Sequence, residues 1–162
     1  MSQLKYVATF VAAAALLPAG SGISAADGPI ATTAERGMLV PMSEVLRRCD
    51  FTETIYTLST ATSAGSAVSI VSTTGSDVRA DVSLTRATPD VRFFVRLVEY
   101  PPPTNLCRPG NPGVAAATID TDGGGNGTVS LQEPVLPGAT HAWVFMEGPP
   151  GDFYSSDILA PV

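Results

Sequence analysis

Along most of the chain, apolar side chains recur at every second position, not at the 3.6-residue spacing of a helix. The stretch DVRADVSLT, 77–85, is the clearest case. Val78, Ala80, Val82 and Leu84 fall on one side and Asp77, Arg79, Asp81 and Ser83 on the other, which predicts a half-buried strand. SAVSIVS, 66–72, is its expected partner, joined through TTGS, where Gly75 takes the positive φ of a hairpin turn. DVRFFVRLVEY sends Val91, Phe93, Val95 and Leu97 inward and is read with Arg92, Arg96 and Glu99 on the other face beside Phe94 and Val98. Both faces are then partly apolar, so this strand is expected to be central. It stops at Pro101, because proline cannot donate to a ladder.

Further along, VAAATIDT and GTVSLQEPVL read as a second hairpin around DGGGNG. THAWVFME alternates His141, Trp143 and Phe145 against Ala142, Val144 and Met146, and FYSSDILAPV closes the chain with Tyr154 and Ile158 as core members. MLVP and FTETIYTLS add two more short strands, and SEVLRR, 43–48, is expected to form a helical turn capped by Ser43. About eight short strands bounded by Gly and Pro turns predict an all-β domain, a β-sandwich of immunoglobulin-like type in preference to a small barrel. Cys49 and Cys107 favour the sandwich, because a bridge between them would tie an early strand to a later loop across two layers. An even pair of cysteines outside CxxC spacing points to a structural disulfide in an exported protein.

Export is read from the first residues. Lys5, an apolar run from Tyr6 to Leu17, Pro18 and the small residues Ser24, Ala25 and Ala26 predict a cleaved signal peptide over 1–26. The run is too short for a membrane span before Pro18 and Gly20 interrupt it, so no stable membrane insertion is expected after cleavage. Residues 27–37 read as a flexible lead and 38–162 as the β-sandwich domain. Fifteen Asp and Glu against nine Lys and Arg give a net charge of −6, and cleavage after Ala26 removes Lys5 and no acid. That balance excludes nucleic-acid backbones and anionic lipid as partners and leaves neutral or cationic ones. Arg in excess of Lys, with abundant Ala, Gly and Pro, points to a bacterial source with GC-rich codons.

No chemical constellation stands out. Asp120, Asp122 and Gly125 fit positions 1, 3 and 6 of a calcium loop, but positions 5 and 12 are Gly124 and Leu131, so an EF-hand is rejected and a tight turn capped by Asp122 is expected. His141 is the single histidine, which rules out multi-histidine metal sites, and no serine sits in a nucleophile elbow. No residue is assigned to catalysis or to metal, and no cofactor is expected. Aromatics offer the binding clue: Trp143, Phe153 and Tyr154, with Tyr100 and Phe94, could stack on a ligand, although core filling is the commoner use of such rings. Phe153 and Tyr154 follow the turn EGPPGD, where a loop can present a side chain.

CDFT, SDVRADVSLT, ATPDVRFFVRLVEYPPP, PGNPG, TIDTDGGGNG and GATHAWVFMEGPPGDFYSSD together resemble a group of uncharacterised exported proteins of mycobacteria and their actinobacterial relatives. The resemblance covers approximately residues 49 to 162. It implies export and an all-β domain and hands over no catalytic residue. The expected function is that of a secreted, non-catalytic binding or interaction module at or beyond the bacterial cell envelope, with an envelope component or another exported protein as partner. A hydrolase using acidic residues on an envelope polymer and a calcium-stabilised extracellular domain are the alternatives.

Overall fold

The two-residue alternation becomes nine strands among the described residues: β1 Met38–Ser43, β2 Ser66–Thr74, β3 Asp77–Thr85, β4 Arg92–Tyr100, β5 Val114–Asp120, β6 Gly127–Pro134, β7 His141–Glu147, β8 Phe153–Ser156 and β9 Ala160–Pro161. The computed structural model describes residues 37–55, 65–149 and 151–162. The expected signal peptide, nearly all of the lead and the second half of FTETIYTLS lie outside the described residues. The strands belong to the unit Thr33–Val162.

The chain is all-β and sandwich-like, but its two walls are one sheet. The strand order is β5-β4-β7-β8-β1-β2-β3-β6, with every neighbouring pair antiparallel and β9 alongside β7. The two ends of that order, β5 and β6, come into contact, so the sheet is nearly closed into a barrel. DGGGNG makes its turn as expected, but the strands it joins do not ladder with each other. β5 pairs with β4 and β6 with β3, and a seam remains where the hairpin was expected.

Parity decides what fills the interior. Val78, Ala80, Val82 and Leu84 of β3 meet Phe93, Val95 and Leu97 of β4, Ala142, Val144 and Met146 of β7, and Tyr154 of β8 in one buried cluster. The opposite face of β7 is also covered. Trp143 and Phe145 pack there with Val98, Val114 and Phe153 in a second cluster outside the barrel, under Leu46, Phe51, Cys107 and Leu159. A strand buried on both sides reads as a nearly continuous apolar run, which is why HAWVFME lacks polar alternation.

Three local expectations are corrected. SEVLRR is not helical: Ser43 stays in β1 opposite Ser155, and Arg47 makes an antiparallel bridge with Glu53. The disulfide between Cys49 and Cys107 is present, with Cα atoms 5.5 Å apart, but it joins two loops on the outer face and not a strand to a facing layer. Ile158 is 42% exposed, because the chain bends at 157–158 between β8 and β9.

The β5–β6 turn closes one end of the barrel by a network of backbone bonds. Asp122 Oδ1 accepts from the Gly124 and Asn126 N–H groups at 2.9 and 2.8 Å, and Gly125 donates to the Asp122 carbonyl at 2.9 Å. Ala87, in the loop between β3 and β4, donates to the Gly125 carbonyl at 3.0 Å. Gly125 has φ +75°, and a Cβ added there would lie 2.0 Å from the Ala87 carbonyl oxygen. Gly125→Ala is therefore expected to cost about 1–3 kcal/mol in denaturant unfolding. Gly123→Ala, which meets nothing within 4 Å, should change stability by no more than about 0.5 kcal/mol.

Candidate functional site

Residues 44–55 leave β1 and fold back over the outer face of β7 and β8. Arg47 holds this segment in place: its side chain is only 9% exposed. Its Nε donates to the Ser156 carbonyl at 3.1 Å, Nη1 to the Phe51 carbonyl at 3.2 Å, and Nη2 pairs with Glu53 at 3.2 Å. The guanidinium also lies 4.2 Å from the Phe51 ring centroid, within cation–π range. Phe51 is held at φ 65°, a conformation a bulky residue adopts only when its surroundings fix it. The edge of its ring meets Trp143 with centroids 5.5 Å apart. The disulfide fastens the same segment to the loop after β4.

Between this strap and the β7–β8 loop lies an open cleft. One cavity of about 380 Å³ is lined by Leu46, Phe145, Glu147, Gly148, Asp152 and Phe153, among others. A neighbouring one of about 240 Å³ is lined by Glu44, Leu46, Glu53, Ile55 and Phe153, among others. Leu46 and Phe153 line both, so the two form one depression with an apolar floor and acidic residues along it. Asp152 is buried in the wall, where its Oδ2 accepts from Thr88 Oγ1 at 2.9 Å. Ile55 stands 97% exposed at one end.

The structure separates the aromatics singled out in the sequence. Trp143 and Tyr154 are each 1% exposed, Trp143 in the outer cluster and Tyr154 inside the barrel, so neither ring offers a stacking face to solvent. Phe153 is buried from bulk solvent yet borders the cleft. Phe94 is exposed on the outer face of β4, and Tyr100 is half-buried where that strand ends. His141 hydrogen-bonds Thr140 through Nδ1 at 2.9 Å.

The acids of TIDTDGGGNG are engaged with their own surroundings. Arg92 donates to both Asp120 oxygens at 2.6 and 2.9 Å, a bidentate pair that holds the Asp120 carboxyl below its ordinary value. The Asn126 and Gly124 backbone amides hold Asp122 low in the same way. Both side chains serve the end of the β4–β5 ladder and its turn.

Two glutamates form an arrangement that the sequence reading missed. Glu99 was expected on the outer face of β4, but it has the parity of Val95 and Leu97 and continues their inward row; it is 0% exposed. Both of its oxygens accept from the Leu136 N–H, at 3.2 and 3.1 Å, and burial raises its carboxyl above the ordinary value. Glu133, two residues beyond buried Leu131 on β6, turns inward at the same end of the barrel. Burial, reinforced by the Glu99 charge, pushes it up to about 7. A paired-carboxylate hydrolase needs both acids to reach its substrate, and Glu99 is closed off from solvent.

Comparison of the chain with protein-family models, with curated proteins and with solved structures gives no match in any of the three.

Proposed function

We propose that this protein is an exported, non-catalytic binding module of the bacterial cell envelope or its surroundings, and that it takes its partner in the cleft between residues 44–55 and the β7–β8 loop. The observation that carries this reading is the strap itself. A disulfide, a nearly buried arginine and a strained Phe51 hold a short irregular segment rigidly against a two-sided sheet, and the apolar floor of Leu46, Phe145 and Phe153 is left open beside it. Recognition loops fixed on a rigid scaffold lose little entropy on binding. The apolar floor and the glutamates along it suit a neutral or positively charged envelope component or exported protein that presents an apolar side chain. The disulfide and the signal peptide expected at 1–26 both fit an oxidising compartment outside the cytoplasm.

Ile55 provides a test that leaves the core untouched. Ile55→Asp places a charge at the open end of the cleft on a side chain already in solvent, so folding should be unaffected. Ile70→Ser, which makes an exposed apolar side chain of β2 polar, is the reference variant away from the cleft. Immobilised wild-type protein and Ile70→Ser should retain the same component from an envelope extract, and Ile55→Asp should retain at least tenfold less. Equal retention by all three would move the binding surface away from the cleft.

A further inference from the structure

Of the acids that line the cleft, Glu53 pairs with Arg47 at 3.2 Å and Glu147 with Arg96 at 3.3 Å. Asp152 is the most deeply buried of them, 4% exposed, and among the described residues it has no cation within ion-pairing distance. Its Oδ2 accepts from Thr88 Oγ1 at 2.9 Å, while its Oδ1 is buried with no hydrogen-bond partner. The main chain cannot supply one. The Asp152 N–H donates to the Pro149 carbonyl at 2.9 Å and the Asp152 carbonyl accepts from the Gly148 N–H at 2.8 Å, so both groups are spent on the β7–β8 turn. Thr88 is fixed in its own loop, where its carbonyl accepts from Thr121 Oγ1 at 2.8 Å. A buried carboxylate with one hydrogen bond and no counter-charge is costly, and folded proteins ordinarily pair such groups. This one forms part of the wall of the larger cavity, beside Phe145 and Phe153.

We propose that Asp152 anchors a primary ammonium group carried on an alkyl stem, and that the partner supplies it as a lysine side chain of an exported protein. The inference rests on the cleft being the binding site. With Oδ2 held by Thr88, one oxygen is free of protein donors. That suits the compact point charge of an ammonium better than a guanidinium fork, which asks for two oxygens. Oδ1 is itself out of contact with solvent, and the broad Cβ–Cγ torsion of an aspartate lets the carboxylate turn to meet an arriving cation. The stem has its own place. Leu46, Phe145 and Phe153 form an apolar floor next to Asp152, and a lysine buries its methylenes on such a surface while its charged end reaches a polar group. The smaller cavity shares Leu46 and Phe153 and extends to Ile55, so a residue neighbouring the lysine in an extended segment meets an apolar wall. Two adjoining cavities fit a polypeptide better than a polymer of amino sugars, whose amine is attached to the ring without a stem.

Pentylammonium chloride is the probe, because it reproduces the lysine stem with its ammonium, and 1-pentanol is its uncharged counterpart. Titrated into the wild-type protein, pentylammonium should shift the amide resonances of Gly148, Gly151 and Asp152 saturably, with about tenfold higher affinity than 1-pentanol. Asp152→Asn keeps an acceptor for Thr88 and removes the charge. With its fold checked by thermal melt, its preference for pentylammonium should vanish. Equal affinities for the two probes in the wild type would overturn the anchor without recourse to a variant, and so would a preference that persists in Asp152→Asn. An envelope extract separates this failure from failure of the cleft itself. Immobilised beside wild type and Ile55→Asp, Asp152→Asn should retain about tenfold less. Wild type should lose the component to the same degree after the amines of the extract are acetylated, or after its proteins are digested and the protease inactivated. Full retention by Asp152→Asn with Ile55→Asp still deficient would keep the cleft and overturn its ammonium anchor, whereas equal retention by all three would overturn both. Retention that survives digestion would overturn the lysine.

Discussion

Replacing Cys49 and Cys107 together by serine should lower the unfolding free energy by about 4 kcal/mol, the chain-entropy value for a loop of this length. For a domain of this size that corresponds to a fall in melting temperature of roughly 10–20 °C. The bridge spans 58 positions in sequence, and it restrains the unfolded chain over nearly half of the described unit. The loss should also have a location. The disulfide connects the strap to the loop after β4, and Cys107 itself packs on the outer cluster. The outer face should therefore loosen before the barrel does. Trp143 is the single tryptophan and lies in that cluster, so its emission reports on the outer face alone. In the double variant its red shift in denaturant should precede loss of the far-ultraviolet β signal, whereas in the wild type the two should coincide.

Trp143→Ala is expected to cost about 3–5 kcal/mol, the range for truncating a large buried aromatic. The indole is the largest of the fully buried side chains, with Phe51 and Phe145 rings at centroid distances of 5.5 and 6.3 Å and Val98 and Val114 in the same cluster. Its Nε1 is buried without a hydrogen-bond partner, which makes the native site less favourable than its buried area implies. Trp143→Phe should therefore lose distinctly less than the alanine variant, because it removes the orphan donor while retaining much of the ring contact. Combined with the cysteine replacements, Trp143→Ala should fall short of the sum of the two losses, since both act on the same cluster. Urea unfolding of the three variants and the combination measures all of these differences.

Much of the interior was legible because β structure encodes facing direction in parity. Val78 to Leu84, Phe93 to Leu97 and the alternation of β7 all fall on the faces their spacing dictates. The partly apolar outer face of the β4 segment predicted a central strand, and β4 does lie between β5 and β7. Glu99 was misread against the same rule: its charge suggested solvent while its position, two residues after Leu97, placed it inward. The seam was not legible, because hairpin logic considers only neighbours in the chain. The long-range pairing of β3 with β6 and of β4 with β5 carries each strand to a different edge of the sheet. The strap was hidden for a related reason. SEVLRR has the local preferences of a helical turn, and they are overridden by the Arg47 bonds, the Phe51–Trp143 contact and the disulfide, all of which connect it to distant residues. Phe153 was singled out from its loop, and the loop does border the cleft; Trp143 and Tyr154 followed the commoner fate of large aromatics in the core.

The cleft is the centre of the functional account, and a photo-crosslinking amino acid placed at position 55 tests it most directly. Exported from a bacterium that makes the native protein, the position-55 variant should give one discrete covalent adduct on irradiation, and the same probe at position 70, on the exposed face of β2, should give none. Adducts at position 70 with none at position 55 would contradict the cleft and place the partner on the exposed face of β2.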